Sequence, residues 1–276
     1  MIIAQISDLH VQPAGERAYG IVDTNRHLQA AVQQINRLSP QPDLVVATGD
    51  LVDQGSLEEY QQLQALLAPL NAPLYLVMGN HDDRAAFRQV FPDLFYVPAE
   101  GFVQYVVEDW PLRLIMLDTL VAGEGYGNID RDRLTWLGDR LAEAPDQPTV
   151  IFMHHPPFES GLYGMDRLRC RGDVALAQLI QQYPNVQRVA CGHLHRSIQT
   201  LWAGTLCTVA PSPAHQVALQ LAADQPPALV MEPPGYHLHL WHEGTGLITH
   251  TAFVGDFDAY SYKTREKITL YESAKE

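Results

Sequence analysis

Short apolar runs alternate with helical spacings along the first 190 residues. Ile2–Ile6, Leu44–Thr48, Leu74–Met78, Arg113–Leu117, Thr149–Met153 and Arg188–Cys191 are rich in Val, Ile or Leu and nearly continuous in hydrophobicity. That pattern predicts strands buried on both faces. Between them, Leu28, Ala31, Ile35 and Leu38 recur at helical spacing. Ser56 and Glu59 form a capping-box start for a helix carrying Tyr60, Leu63 and Leu67. Leu134, Leu137 and Leu141 mark a third helix, with Trp136 beside them. Leu176, Leu179 and Tyr183 mark a fourth. Such alternation predicts a layered α/β fold.

The pattern changes after about residue 196. Ser197–Trp202, Thr205–Val209, Gln216–Gln220, Tyr236–Trp241 and Leu247–Thr251 read as strands joined by turns. Residues 221–235 carry four prolines and read as a loop or cap insertion. The last dozen residues are polar and expected to be peripheral.

Composition narrows the class. A chain of 276 residues with 46% hydrophobic and 18% charged residues can bury a sizeable core and is not disordered. No apolar run reaches 18 residues, so no spanning helix is expected. The first residues show neither a basic nor a long apolar region, so no secretory leader is expected. The net charge of −14 argues against coating a nucleic-acid polymer. It is compatible with a small phosphate ester if bound metal supplies local positive charge. Cys170, Cys191 and Cys207 show no CxxC spacing and read as reduced thiols of a cytoplasmic protein.

The candidate chemistry lies at the ends of the predicted strands. Asp8-Leu9-His10, Gly49-Asp50, Gly79-Asn80-His81-Asp82, His154-His155 and Gly192-His193-Leu194-His195 each follow an apolar run. Loops at strand C-termini converge on one edge of an α/β sheet. Oxygen and imidazole donors suit borderline and hard divalent metals. In Gly-His-x-His the two rings share a side of an extended segment. Singly, each motif could be a solvated turn; their order along the chain is the signal.

That order, together with His154-His155-Pro156-Pro157, resembles the calcineurin-like metallophosphoesterases over about residues 1–215. Tyr19-Gly20 with Asp23, and Gly79-Asn80-His81-Asp82-Asp83, are similar to the bacterial branch of class III cyclic-nucleotide phosphodiesterases and glycerophosphodiesterases. The resemblance implies a four-layer α-β-β-α sandwich of two mixed sheets with two metals at one edge. A single domain over 1–276 is expected, with 216–276 forming a β-rich cap or oligomerisation segment. By the same resemblance one metal takes Asp8, His10, Asp50 and His195. The other takes Asp50, Asn80, His154 and His193, and Asp50 bridges both. His155 is read as a structural neighbour of the ligands. His81 is assigned to phosphate contact, transition-state stabilisation or protonation of the leaving alkoxide, and His215 and Tyr19 to the substrate pocket.

The implied activity is phosphodiester hydrolysis by a metal-bridging hydroxide, on cyclic nucleotides or glycerophosphodiesters. Mn, Fe, Co and Zn all suit the donors. A phosphomonoesterase of this fold and a metal-binding regulatory protein are the alternatives. A homo-oligomer is expected, and a membrane partner is not. His237, His239 and His242 read as strand surface and turn. Asp82 and Asp83 read as caps of the helix that follows them.

Overall fold

The computed structural model describes residues 1–269. The remaining residues, part of the tail expected to be peripheral, lie outside it. Eleven strands build two mixed sheets: β1 (Ile2–Ile6), β2 (Leu44–Thr48), β3 (Leu74–Val77), β4 (Tyr105–Val107), β5 (Arg113–Leu117), β6 (Thr149–Met153), β7 (Val186–Cys191), β8 (Ile198–Trp202), β9 (Thr205–Val209), β10 (Gly235–His242) and β11 (Gly246–Phe253). The helices are α1 (Thr24–Asn36), α2 (Leu57–Leu67), α3 (Arg84–Val90), α4 (Arg131–Glu143), α5 (Tyr163–Asp166) and α6 (Asp173–Ile180).

The first sheet has the order β11-β10-β1-β2-β3, and the second β8-β9-β7-β6-β5-β4. Strands β1, β2 and β3 are parallel, as are β5, β6, β7 and β9. The continuous apolar runs follow from this layering. In β5, Leu114 and Met116 join a core shared with Ile3, Ile6 and Val45 of the first sheet. Ile115 and Leu117 face the other way, onto Leu137 and Leu141 of α4 and Leu176 and Ile180 of α6. Leu28, Ile35, Tyr60 and Phe87 bring α1, α2 and α3 onto the first core. The four layers expected from the sequence are thus present.

Helix ends follow local chemistry. Asp23 caps α1, Ser56 and Glu59 close the capping box of α2, and Asp83 caps α3. Leu38 and Tyr183, expected inside helices, lie beyond the ends of α1 and α6. They still pack against the two cores. Trp136 packs part-buried on the second core, as expected of a helix-core residue.

The C-terminal strands divide in two. Strands β10 and β11 complete the first sheet, with β10 antiparallel to β1. Residues 216–230 instead form a short flap, in which Gln216 and Val217 pair with Val230 and Leu229.

His237 and His239 correct the reading of strand surface. Both are buried, because β10 lies between β1 and β11 and the second sheet covers one of its faces. His239 bonds Gln5 Oε1 through Nε2 at 2.9 Å and Thr249 Oγ1 through Nδ1 at 2.8 Å. His237 Nε2 meets Ser197 Oγ at 3.2 Å. Burial, with Arg188 nearby, lowers His237 to about 4. His242 is exposed at the strand end, as expected.

Candidate metal centre

The five motifs meet at one edge of the sandwich. Asp8 and His10 follow β1, Asp50 follows β2, Asn80 and His81 follow β3, His154 and His155 follow β6, and His193 and His195 follow β7. Asp8, His10, Asp50, His193 and His195 all have positive φ, between 44° and 72°. Such backbone is uncommon outside glycine and costs on the order of 1–3 kcal/mol per residue. Five such residues in one cluster mark a place where side-chain direction outweighs local stability.

Three of the imidazoles are aimed by a hydrogen bond at the outer nitrogen. His154 Nδ1 donates to the Thr48 carbonyl at 2.7 Å, and His195 Nδ1 to the His215 carbonyl at 3.0 Å. His10 Nδ1 donates to Asp53 Oδ1 at 3.1 Å. These bonds fix the tautomer and turn Nε2 inward. The inward atoms converge. His10 Nε2 lies 3.1 Å from His195 Nε2 and 3.7 Å from Asp50 Oδ2. His195 Nε2 lies 3.4 Å from Asp8 Oδ1, and His154 Nε2 lies 3.3 Å from Asp50 Oδ2. The donor atoms of Asp8, His10 and Asp50 lie within 4.8 Å of one another, as do those of His154, His155 and His193. Asp8 also accepts the His193 amide at 2.9 Å.

The donor set fits divalent metal. Against its burial, the Asp53 hydrogen bond and the Asp50 and Asp8 charges raise His10, so His10 Nε2 can donate to neutral His195 Nε2 across 3.1 Å with the proton that a shared cation would displace. Among the described residues, His193 Nε2 is buried without a hydrogen-bond partner, and His154 Nε2 faces the Asp50 carboxylate at 3.3 Å. Burial raises Asp8 to about 6, with His154 opposing and Asp50 adding to the rise. Against its burial, Asp50 and Asp8 hold His154 up at about 9, so His154 carries the proton that a cation must displace. Burial, and then neighbouring imidazoles, hold His155 and His193 well below the usual range and His195 at about 3. The neutral form that ligates metal is therefore favoured in those three.

Several positioning groups were not singled out in the sequence. Asp53 orients His10 through its carboxylate and His81 through its carbonyl, which accepts from His81 Nδ1 at 2.7 Å. Its place three residues after Asp50, in the same strand-end loop, was the available signal. Thr119 Oγ1 and His155 Nδ1 are 2.8 Å apart, and His155 Nε2 meets Asn80 Oδ1 at 3.1 Å. His155 thereby holds the Asn80 amide.

Asp82 is a correction. Asp83 alone caps α3, while buried Asp82 accepts from the Gly79 and Leu51 amides and from Tyr60 Oη at 3.0 Å. It pins the Asp50 loop to the Asn80 loop. Burial and the nearby Asp50 raise Asp82 to about 7. Tyr60 Oη also accepts the Asp83 amide at 2.9 Å. Tyr60→Phe is expected to cost about 1–3 kcal/mol, because it removes the hydroxyl donor to the buried Asp82 carboxylate and the acceptor of the Asp83 amide. Urea unfolding of the two proteins reads this directly; an unchanged midpoint would contradict it.

A cavity of about 430 Å³ opens onto this centre. His81, His215 and Tyr19 line it. The His215 ring lies 4.6 Å from that of His195, and Tyr19 stands edge-on to His215 at 5.5 Å. Asn80, whose amide His155 holds, lines it as well. Among the described residues, no helix is long and apolar enough to cross a membrane.

Residues 1–197 match the family described as calcineurin-like phosphoesterase, and the chain belongs to that family. Its relatives include the probable glycerophosphodiester phosphodiesterase GpdQ of Arcobacter nitrofigilis, 40% identical over 94% of this chain and 95% of that protein. The 3',5'-cyclic adenosine monophosphate phosphodiesterase CpdA of Escherichia coli K12 is 31% identical over 76% of this chain and 75% of its own length. A dimetal phosphatase from Danio rerio shares the fold, with a TM-score of 0.63 at 14% identity over 92% of this chain and 99% of that one.

Proposed function

We propose that this chain is a dinuclear metal-dependent phosphodiesterase acting on small diesters, cyclic nucleotides or glycerophosphodiesters. The observation that carries the reading is the convergence of inward Nε2 atoms on two buried carboxylates, His10 and His195 on one side and His154 on the other. One ion would be held by Asp8, His10, Asp50 and His195. A second would be held by Asp50, Asn80, His154 and His193. Mn, Fe, Co and Zn all suit such nitrogen and oxygen donors. When bound, the ions supply Lewis acidity toward a phosphate and a water activated near neutral pH.

The chain's own residues do the rest. Asn80, an amide where a third carboxylate would repel the substrate anion, keeps the local field positive despite the chain's net −14. His81 commits Nδ1 to the Asp53 carbonyl, which leaves Nε2 for the substrate. Protonated there, it donates to a phosphate oxygen or to the departing alkoxide. His215 and Tyr19 form the adjoining side of the pocket. The acidic chain disfavours a nucleic-acid polymer as substrate. The three buried free thiols support a cytoplasmic setting. Contact between copies of the chain is placed by this reading in the C-terminal part, where Leu219, Leu221, Met231, Phe253 and Phe257 are exposed. A C-terminal deletion that left particle size unchanged would remove that last idea.

The test is hydrolysis of bis(p-nitrophenyl) phosphate by metal-stripped protein, with Mn, Zn, Co or Fe restored in turn. Restored turnover, with the monoester much slower, is the expected result. Two bound ions without turnover would move the protein to the regulatory, metal-binding reading.

His155 gives a more local check. His155→Phe keeps a ring but loses both hydrogen bonds, so Asn80 is free to turn. One ion is expected to bind about 10–100-fold more weakly while the other is retained. Metal titration followed by elemental analysis distinguishes this from uniform loss.

A further inference from the structure

The cavity has two unlike sides. One carries the histidines, Asp50 and Asn80. The other is largely apolar: Ile21, Met165, Leu168, Val217, Pro227 and Leu229, with the Gln216 amide beside them committed to the Ser212 carbonyl at 2.8 Å. Among the described residues, no Lys or Arg lines the cavity, and Asp50 is its one acidic residue. Those apolar residues come from three distant stretches of chain, so the wall is a product of tertiary folding.

The wall is also braced. Asp166 accepts from the Ser160 and Gly161 amides at 2.8 and 3.0 Å, which fixes the turn leading into α5. The Ala218 amide donates to the Ala228 carbonyl at 2.7 Å, and Arg196 ties the flap through the Val217 carbonyl and Glu232. The two segments touch where Gly164 meets Pro227, so closely that a methyl group on Gly164 would overlap the proline ring. A wall held this way is formed before substrate arrives, so binding it loses little ordering entropy.

We propose, on the basis of the phosphodiesterase reading, that this wall selects diesters by the apolar surface of the ester group next to the scissile phosphate. The favoured substrates carry an uncharged alkyl, aryl or nucleoside ester. Of the two substrate groups proposed above, this ranks nucleoside diesters over glycerophosphodiesters, because polyol and cationic esters, such as glyceryl and choline, are disfavoured. The reason is desolvation. Hydroxyls or an ammonium placed against Leu168, Pro227 and Leu229 lose water and gain no partner from those side chains. A methylene placed there gains about fourfold in binding.

The test keeps the leaving group constant. Methyl, butyl, phenyl, thymidine-5', glyceryl and choline p-nitrophenyl phosphates all release p-nitrophenolate, so differences in kcat/KM report the retained ester. The butyl and phenyl esters are expected to exceed the methyl ester by about tenfold or more, with the glyceryl and choline esters at or below methyl. The thymidine ester is expected with the favoured group. In Leu168→Ser/Leu229→Ser the butyl-to-methyl ratio is expected to fall several-fold. That ratio is measured within one sample, so loss of folded enzyme cancels. Good turnover with a flat series, or with glyceryl or choline preferred, overturns the wall and leaves the phosphodiesterase reading standing. So does a butyl-to-methyl ratio that the double variant leaves unchanged. Failure of every ester with every metal overturns both.

Discussion

Asp50→Asn is expected to lower diester turnover by at least about a thousandfold and to leave the protein with fewer than two ions per chain. Asp50 is the carboxylate that faces both halves of the centre. Its Oδ2 lies 3.3 Å from His154 Nε2 and 3.7 Å from His10 Nε2. Its Oδ1 accepts the His81 amide at 2.9 Å and so places the residue assigned to the substrate. Asparagine has nearly the same shape, which keeps the strand-end loop filled. It replaces one anionic oxygen by an NH2 donor and halves the negative charge of the Asp8–Asp50 pair. Two cations held close together depend on that charge more than on any single imidazole. Metal content by elemental analysis, read beside kcat/KM for bis(p-nitrophenyl) phosphate, separates lost binding from lost chemistry. Two ions per chain with an undiminished rate would sink the assignment of Asp50 as the bridge.

Gly192→Ala tests how the two sheets are joined at the centre. Gly192 follows β7 of the second sheet and packs against the ends of β1 and β2 of the first. A methyl group there would overlap Ser7 Oγ, and would sit 2.8 Å from the Thr48 carbonyl and 3.0 Å from Asp8 Oδ2. The Thr48 carbonyl cannot move freely, because it accepts from His154 Nδ1 and Ser7 Oγ. The substitution is expected to cost about 1–3 kcal/mol of stability by overpacking. It is also expected to push Asp8 out of line and so weaken metal binding. Ser7→Ala combined with Gly192→Ala removes the nearest obstacle and is expected to restore part of the stability. Denaturant midpoints for the parent and the two variants read the first effect, and metal titration reads the second. A Gly192→Ala protein with unchanged midpoint and metal content would contradict the close packing of Gly192 against Ser7 and Thr48.

The two variants probe different kinds of information. Asp50 was marked by its own motif at the end of an apolar run. The crowding around Gly192 was not visible in any local pattern, since its neighbours Ser7, Thr48 and Asp8 come from strands far away in the chain. The same division separates His81 from Asp53. His81 stands in an unusual four-residue motif, whereas Asp53 is one more acidic residue in a loop until His10 is folded against it.

Local hydrophobic patterning determined the buried strands, because a strand covered on both faces must be apolar at nearly every position. It also determined where the chemistry lies, since the motifs begin where those apolar runs end. Tertiary structure decided the rest. Strand β10 lies beside β1 through pairings such as Gln5 with His237, so burial of His237 and His239 depended on long-range registry. The roles of His155 and Asp82 depended on hydrogen bonds to Asn80 and Tyr60. The apolar wall depended on the meeting of Gly164 with Pro227. Periodicity reports whether a residue is to be buried; which residues it is buried against is set only when distant strands pair and their loops close on one edge.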